Sequence, residues 1–508
     1  MRITNTMITR NTKSNINSNK LLVDKYNTQM TTQKKISKAS EDPVIAIRSL
    51  RLSTTLSHIN QYVENNIPDA SAWMDVTETA LTNMKSLLTD IRTHCVNGSN
   101  DSLTSDDRQT ILEGLTALAD QVYLEGNADY AGKSVFTGYR TSSTLTFEED
   151  EPDTTYEITQ QFTYDNLEEH RYYTGDVTVP EAIVAGVTDC TTKISENSYE
   201  RIRLAYNEGI QLDNLSYTIN GVQTDLITTA DDGTVTTATN VQVFESEAAW
   251  EEANGEKIIA DDAMVFIKET GEMIFGKELA NTISDGRASL TAQYTKKGFD
   301  AGEARPEYYY DCKDITDDDP TKHVEYTKQV QDINYTIANN TTITINTQAS
   351  DVFDTSIARD VDELINVVQK SINANDKVAK VKQMMTEAQY QSPEDQALLQ
   401  TYLDAAQKEA DFADDNLQKT YEHYITRFDG YMESANIAIT NIGSMKNRLT
   451  MTQTRVENQQ TTLEELKSQN EDRDISDIII DYYASYNAYQ SSLTAASKVG
   501  ERTLLDYI

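Results

Sequence analysis

Apolar positions recur at helical spacing over both ends of the chain and at strand spacing through its middle. Toward the close, Ile479, Tyr482, Tyr486, Tyr489, Leu493, Ala496, Gly500, Thr503 and Tyr507 alternate in steps of three and four, which predicts a heptad seam. A second seam, Met445, Leu449, Thr452, Val456, Gln459, Leu463 and Leu466, precedes it out of phase. The slip falls on Glu471-Asp472-Arg473-Asp474. One amphipathic helix cannot bury such a stripe against itself, so a facing surface is required. Within one molecule the candidate is segment 1–38, with sparse apolar positions at Ile3, Met7, Ile16, Leu21, Leu22, Tyr26 and Met30. Its many Asn and Thr residues make it a poor helix alone, so it is expected to order only against a partner.

Between these ends, Asp42 and Pro43 read as the cap and first residue of a helix buried along Ile45, Leu52, Leu56, Ile59, Val63 and Ile67. Pro68 predicts a kink or restart, and the pattern then runs from Trp73 to a stop at Asn97-Gly98. Thr104 to Asp107 forms a capping box ahead of Ile111, Leu115, Leu118 and Val122. From 141 to 350 Thr, Val, Ile and Tyr alternate with polar residues, and hairpin turns are expected at Asn220-Gly221, Asp232-Gly233, Thr270-Gly271 and Asn339-Asn340. A short helix over Ala280 to Leu290 is expected inside this insert. Helix returns as one element through Val361 and Ile372 and another from Val378 to Tyr390, and Ser392-Pro393-Glu394 opens a very long one toward Met445. Gly443 interrupts that helix at a cost of about 1 kcal/mol, which suggests a close helix–helix approach. The fold class is mainly α with a β-rich insert (α+β), in three parts: a terminal coiled-coil domain (1–42 and 467–508), a helical rod (43–140 and 351–466) and the insert (141–350).

Charge changes this picture in one respect. The 508 residues carry a net charge of −38, which disfavours nucleic acid as a partner of the general surface. Yet segment 1–38 sets Arg2, Arg10, Lys13, Lys20, Lys25, Lys34, Lys35 and Lys38 against a single acid, Asp24. That segment has the charge of a polyanion-binding arm or a transit peptide, though it is poor in aromatic residues. It also complements Glu471, Asp472, Asp474, Asp477, Asp481 and Asp506 in the closing stretch. Three distant cysteines, Cys95, Cys190 and Cys312, offer neither a disulfide framework nor metal-ligand spacing. No apolar run reaches a membrane span of about 18–20 residues, and the amino terminus lacks the apolar core of a cleavable signal. The chain is therefore expected either to stay in the cytoplasm or to leave by a route that reads something other than a hydrophobic segment.

Candidate chemistry is sparse. Gly132-Lys133-Ser134 invites a phosphate loop, but the spacing from Gly126 is wrong for a Walker motif and a helix precedes it. A turn that closes a helix and opens a strand is the better reading. His58, His94, His170, His323 and His423 stand apart, and Asp317-Asp318-Asp319 lacks the alternating ligands, central Gly and distal Glu of a calcium loop. No catalytic, cofactor-binding or metal residue is assigned.

Several local motifs, in order, resemble the flagellin superfamily, and within it the hook–filament junction branch. The opening Met1-Arg2-Ile3-Thr4-Asn5-Thr6-Met7 is similar to that family's start, and Ser40-Glu41-Asp42-Pro43-Val44 matches the junction branch's S-[DE]-D-P. Tyr130-Ala131-Gly132-Lys133-Ser134-Val135-Phe136-Thr137-Gly138-Tyr139 resembles the family's turn into its first strand. Gly443-Ser444-Met445-Lys446-Asn447-Arg448-Leu449 is like G-[AS]-x-x-N-R-L, and Glu471 to Asp477 resembles E-D-x-D-[IM]-[AS]-[ED]. The ending Lys498 to Ile508 is like the junction branch's close. The resemblance spans the two ends; the insert is larger than in familiar members.

The resemblance implies a structural, non-enzymatic protein with no cofactor. Its paired ends would line a hollow axial structure, with the insert facing outward. It would be exported unfolded, without cleavage, to the bacterial flagellum. It implies as partners further copies of the chain in a ring, the first hook-associated protein, flagellin, and the export apparatus with its chaperone, and it implies no membrane insertion. The candidate assembly interface is Ile3, Met7, Leu21, Leu22, Ile479, Tyr482, Tyr486, Tyr489, Leu493 and Leu504. A flagellin-type filament subunit is the nearest alternative, and an enzyme or adhesin seated in the insert a remote one.

Overall fold

The computed structural model describes residues 5–100, 103–175, 177–180, 194–230, 235–254 and 257–501. Helices α1 (Asn5–Thr32), α2 (Pro43–Gln61), α3 (Ile67–Gly98) and α4 (Ser105–Leu124) open the chain. Strands β1 (Asp129–Tyr130), β2 (Lys133–Ser134), β3 (Glu151–Thr163), β4 (Glu168–Thr174), β5 (Ser195–Arg203), β6 (Ile210–Ile219), β7 (Val222–Thr229), β8 (Val235–Thr237) and β9 (Val241–Phe244) follow. Helix α5 (Glu247–Asn254), the pair β10 (Met264–Ile267) and β11 (Glu272–Phe275), and helix α6 (Lys277–Asp285) come next. The insert ends with β12 (Ser289–Phe299), β13 (Asp311–Asp314), β14 (Val324–Tyr326), β15 (Asn334–Ala338) and β16 (Thr341–Thr344). Helices α7 (Ser356–Thr386), α8 (Pro393–Glu471) and α9 (Ile475–Glu501) complete the chain. Two compact units emerge: unit 1 comprises 1–71, 334–343 and 446–508, and unit 2 comprises 72–333 and 344–445.

In unit 1 the capping chemistry read from sequence is in place. The Asp42 carboxylate accepts the amides of Val44 (2.9 Å) and Ile45 (3.2 Å), and Pro43 occupies the first turn where no N–H is needed. Before Pro68, residues Tyr62–Asn66 widen into a π turn, and the Ile67 amide bonds back to Tyr62. A proline that removes one ladder donor is accommodated by such a bulge without ending the helix. Ile59, Ala338 and Val456 form a small core with Tyr62, Val63 and Leu463 packed on it. The Asn66 amide donates to the Thr336 carbonyl (2.7 Å), fixing the β15–β16 hairpin beside this turn. Gly443, just outside this unit, has open space where a Cβ would sit, so no intramolecular close approach explains it.

Unit 2 combines a helical bundle with the β-rich insert. Thr104 and Asp107 form the reciprocal capping box of α4, and Ser392 takes the Asp395 amide (3.1 Å) at the start of α8. Gly98 ends α3 against the Tyr421 ring, where a Cβ would sit 2.5 Å from ring atoms. Helix α7 is one continuous element where the sequence suggested two; Ala374, Val378 and Val381 stay on its buried face, so packing carries it through Asn373 to Asp376. Two antiparallel-rich sheets make up the part of the insert that lies in unit 2, ordered β4-β5-β11-β10-β9 and β14-β13-β3-β12-β6-β7-β8, while β15 and β16 pair separately in unit 1. The shared core of the two larger sheets includes Phe266, Phe275, Tyr294 and Leu290, with Leu279 and Ile283 of α6. Strands β10 and β11 are buried on both faces, because Trp250 of α5 and Tyr199 cover the far side with Val265, Ile267 and Ile274.

The helix expected over Ala280 to Leu290 is displaced: α6 ends at Asp285, and Leu290, Ala292 and Tyr294 alternate inward from the central strand β12. The Gly132 loop is a tight hairpin turn, with Ala131 and Gly132 at positive φ and the Asp129 carboxylate on the Gly132 amide (3.0 Å). The Asp232-Gly233 turn lies outside the described residues. At the β6–β7 turn Asn220 and Gly221 both adopt positive φ (52° and 81°), and no atom lies within 4 Å of a Cβ added at Gly221. Gly221→Ala is therefore expected to cost only the left-handed backbone, about 1 kcal/mol. Urea denaturation followed on the insert checks this; an unchanged midpoint would contradict it.

Candidate functional site

The candidate site is the helix pair at the two ends of the chain. Helices α1 and α9 run antiparallel: the Asn19 amide reaches the Ala488 carbonyl (3.3 Å), and Lys34 bridges Asp472. Along α1, Thr12, Ile16, Asn19, Val23, Tyr26 and Met30 are partly buried in steps of four and three. On α9 the matching row is Ile478, Tyr482, Ser485, Tyr489, Ser492 and Ala496. This is a coiled-coil seam of unusually small and polar residues. The phase slip at Glu471-Asp472-Arg473-Asp474 is a physical break between α8 and α9.

Here the chain from α1 doubles back on the break. The Lys35 amide donates to the Glu471 carbonyl (2.6 Å) and the Arg473 amide to Gln33 (3.0 Å). Lys34 Nζ lies 2.6 Å from Asp472 and 3.1 Å from Glu471, and these hydrogen bonds, Asp472 first, raise the ammonium above its ordinary range. Hydrogen bonds from Lys34 and Ser468 hold Asp472 below the usual carboxylate range. Arg473 lies over the Tyr26 ring (5.5 Å) and donates to Gln29 (2.9 Å). The basic start thus meets the acidic close, as their charges suggest.

The predicted interface residues divide. Tyr482 and Tyr489 sit in the α1–α9 seam, and Ile3 and Leu504 lie outside the described residues. The other six point away from the seam: Met7, Leu21, Leu22, Ile479, Tyr486 and Leu493 are all exposed, Leu21 by 67%. On α9 the intramolecular contact is made one residue earlier, at Ile478, Ser485 and Ser492, so the heptad read from sequence merged two rows. Period alone favours the larger side chains, and on this helix those are the outward ones. Sequence reading missed Ile475, Ile480 and Tyr483, which widen the outward patch. Tyr486 of this patch stacks on Tyr482 of the seam, with ring centroids 6.0 Å apart.

A second concentration of polar groups was not legible in the sequence. In unit 2, Arg201 reaches Glu272 (2.7 Å), Glu168 (3.1 Å) and Glu363 (3.2 Å). Arg203 pairs with Glu168 and Asp360, and Arg427 with both of those carboxylates at 2.8 Å. Tyr431 donates to Asp360 (2.7 Å), and His170 Nδ1 lies 3.3 Å from Glu363. The cluster joins β4, β5 and β11 to α7 and α8. Burial pushes the Glu168 carboxyl up, but Arg203, Arg201 and Arg427 outweigh it and hold it at about 2. Burial, then the Arg201 charge, lowers His170 to about 3. Perturbed groups of this kind also mark catalytic sites. Here the guanidinium groups are engaged by neighbouring carboxylates, which is the pattern of a structural tie. Among the described residues, no three His, Cys, Asp or Glu side chains converge as a metal site, and no helix is long and apolar enough to cross a membrane.

Residues 3–141 match the family model described as the bacterial flagellin N-terminal helical region. The chain is similar to flagellar hook-associated protein 3 of Escherichia coli K12, 28% identical over 120 residues, which is 23% of this chain and 38% of that protein. It is similar also to flagellar hook-associated protein 3 of Salmonella typhimurium, 26% identical over 144 residues, or 28% of this chain and 45% of that protein. The chain thus spans less than half the length of these curated relatives. Among solved structures, flagellar hook-associated protein 3 of Legionella pneumophila aligns over 82% of this chain and 97% of its own, at 11% identity and a TM-score of 0.32.

Proposed function

We propose that the protein is a structural adaptor of the bacterial flagellum that joins hook to filament as a ring of identical axial subunits. The observation that carries this reading is the α1–α9 pair, whose inner seam is weak and whose large apolar side chains face outward. Such a pair is marginal alone and gains stability when neighbouring copies cover it, each apolar side chain contributing about 1.5–3 kcal/mol on full burial. Met7, Leu21, Leu22, Ile479, Tyr486 and Leu493 are the assembly residues of this reading, with Ile3 and Leu504 beyond them. Residues 1–42 and 467–508 form the assembly domain, 43–140 and 351–466 the rod, and 141–350 the outward-facing insert. The partners are further copies of the chain, the first hook-associated protein below, flagellin above, and the export apparatus with its chaperone. Export proceeds unfolded and without cleavage, and no catalysis is involved.

Deleting the encoding gene is expected to leave hooks without filaments and to release flagellin into the medium. Intact filaments in the deletion strain would overturn the proposal. The match of residues 3–141 to a flagellin region favours a second reading, a filament subunit. Abundance separates the two: a filament subunit dominates sheared flagella, whereas a junction ring is a trace component.

A further inference from the structure

Unit 1 contains a groove of about 1090 Å³ between α2 and the final stretch of α8, away from the α1–α9 pair. Its floor is apolar, built on Ile59, Val456 and Ala338. Its two walls are rows at three-and-four spacing. On α2 and the π turn that follows it the row is Arg48, Arg51, Thr55, His58 and Tyr62, of which the last three line the groove. On α8 it is Arg448, Met451, Arg455, Asn458 and Thr462, of which the last four line it. Neither row contains an acid. Arg48, Arg51, His58 and Arg455 are exposed, and among the described residues Arg48, Arg51 and Arg455 form no ion pair. Met451 on the rim is 69% exposed, although it faces an apolar floor.

The charge of the whole chain says what such a groove fits. Unit 1 holds 17 Lys and Arg against 15 Asp and Glu, which leaves 27 and 67 for unit 2. The entire acidic excess is therefore on unit 2, while unit 1 offers an apolar-floored groove whose lining carries Arg455 and His58 and no acid. A groove and a complementary surface at different places on one molecule make a head-to-tail contact, which builds rings or helical rows. We infer that the α2–α8 groove docks an acidic helix face from unit 2 of a second copy of this chain. The inference rests on the ring-subunit reading and names a contact within it. The apolar floor supplies burial, and Arg455 in the groove, with Arg48 and Arg51 further along the α2 row, supplies register and a salt-dependent attraction.

The test uses intact flagella from cells expressing the full chain with a photo-crosslinking phenylalanine analogue in place of Met451. Irradiation is expected to give a product of twice the 57.1 kDa chain mass, with the second peptide mapping to an acidic helix of unit 2. Adding Arg51→Glu and Arg455→Glu is expected to reduce that product about ten-fold, a loss of about 1.4 kcal/mol of docking. Circular dichroism and melting of the purified variant should match the parent. A crosslink only to a different protein, no crosslink at all, or a yield unchanged by the charge reversals would overturn the groove proposal and leave the adaptor reading standing. Absence of the chain from purified flagella would overturn the adaptor reading, and the groove proposal with it.

Discussion

Arg203→Ala is expected to destabilise unit 2 by about 3–5 kcal/mol, the cost of removing one partner from a buried ion-pair network. Arg203 places Nη2 2.6 Å from Asp360 and Nη1 2.9 Å from the Arg359 carbonyl, and it also holds Glu168. Asp360 has no exposed side-chain surface, so its charge would keep only Arg427 and Tyr431. Glu272→Gln is the control. The amide oxygen can still accept from Arg201, which keeps Glu168 and Glu363, so a smaller loss of about 1–2 kcal/mol is expected, the cost of one buried polar group left without a partner. Thermal and urea unfolding of the two variants checks the contrast, and equal losses would refute the account of the cluster.

The same groups set the acid response. His170 is held below its ordinary 6.5, at about 3, so the unfolded chain binds the proton first and stability falls as pH drops below 6.5. Glu168 is held at about 2 against an ordinary 4.5. Its contribution is complete above pH 4.5 and disappears as pH falls through 2. Unit 2 is therefore expected to lose stability gradually from pH 6.5 and steeply below 4.5. A flat profile between pH 6 and 4 would contradict this.

None of that cluster is visible along the chain, because its members are drawn together by tertiary packing; Arg427 and Glu168 are 259 positions apart. The available hint was Arg201-Ile202-Arg203 on a strand, where two guanidinium groups share one face and Ile202 the buried other. Local chemistry was legible where it is local. Asp42-Pro43, the Thr104–Asp107 box, Asn220-Gly221 and the break at Glu471 all stand where short-range rules put them. Segment 280–290 was misread because Leu279, Ala280 and Ile283 continue at helical spacing almost to Leu290, and the register changes only at Ala288. Which face of α9 meets α1 was likewise beyond periodicity, since both rows satisfy a heptad.

That distinction between rows yields the sharpest test of the terminal pair. Ile479→Asp combined with Leu493→Asp places two carboxylates on the outward row, where both side chains already meet water. The isolated chain is expected to keep its helix content and melting behaviour, because exposed substitutions away from caps and ion pairs change stability by about 0.5 kcal/mol or less. Under the proposed ring, assembly is expected to fail, because each subunit would bury unpaired carboxylates at every copy of the contact. Cells should then swim no better than the deletion strain and shed flagellin into the medium. Ile478→Asp makes the opposite prediction. That side chain is fully buried between α9 and its surroundings, so a carboxylate there should melt the pair in the isolated chain, seen as lost helical ellipticity before any assembly step. If the outward double variant assembles normally while the inward one alone fails, the exposed row is not an interface, and the apolar residues of α9 serve only the pair.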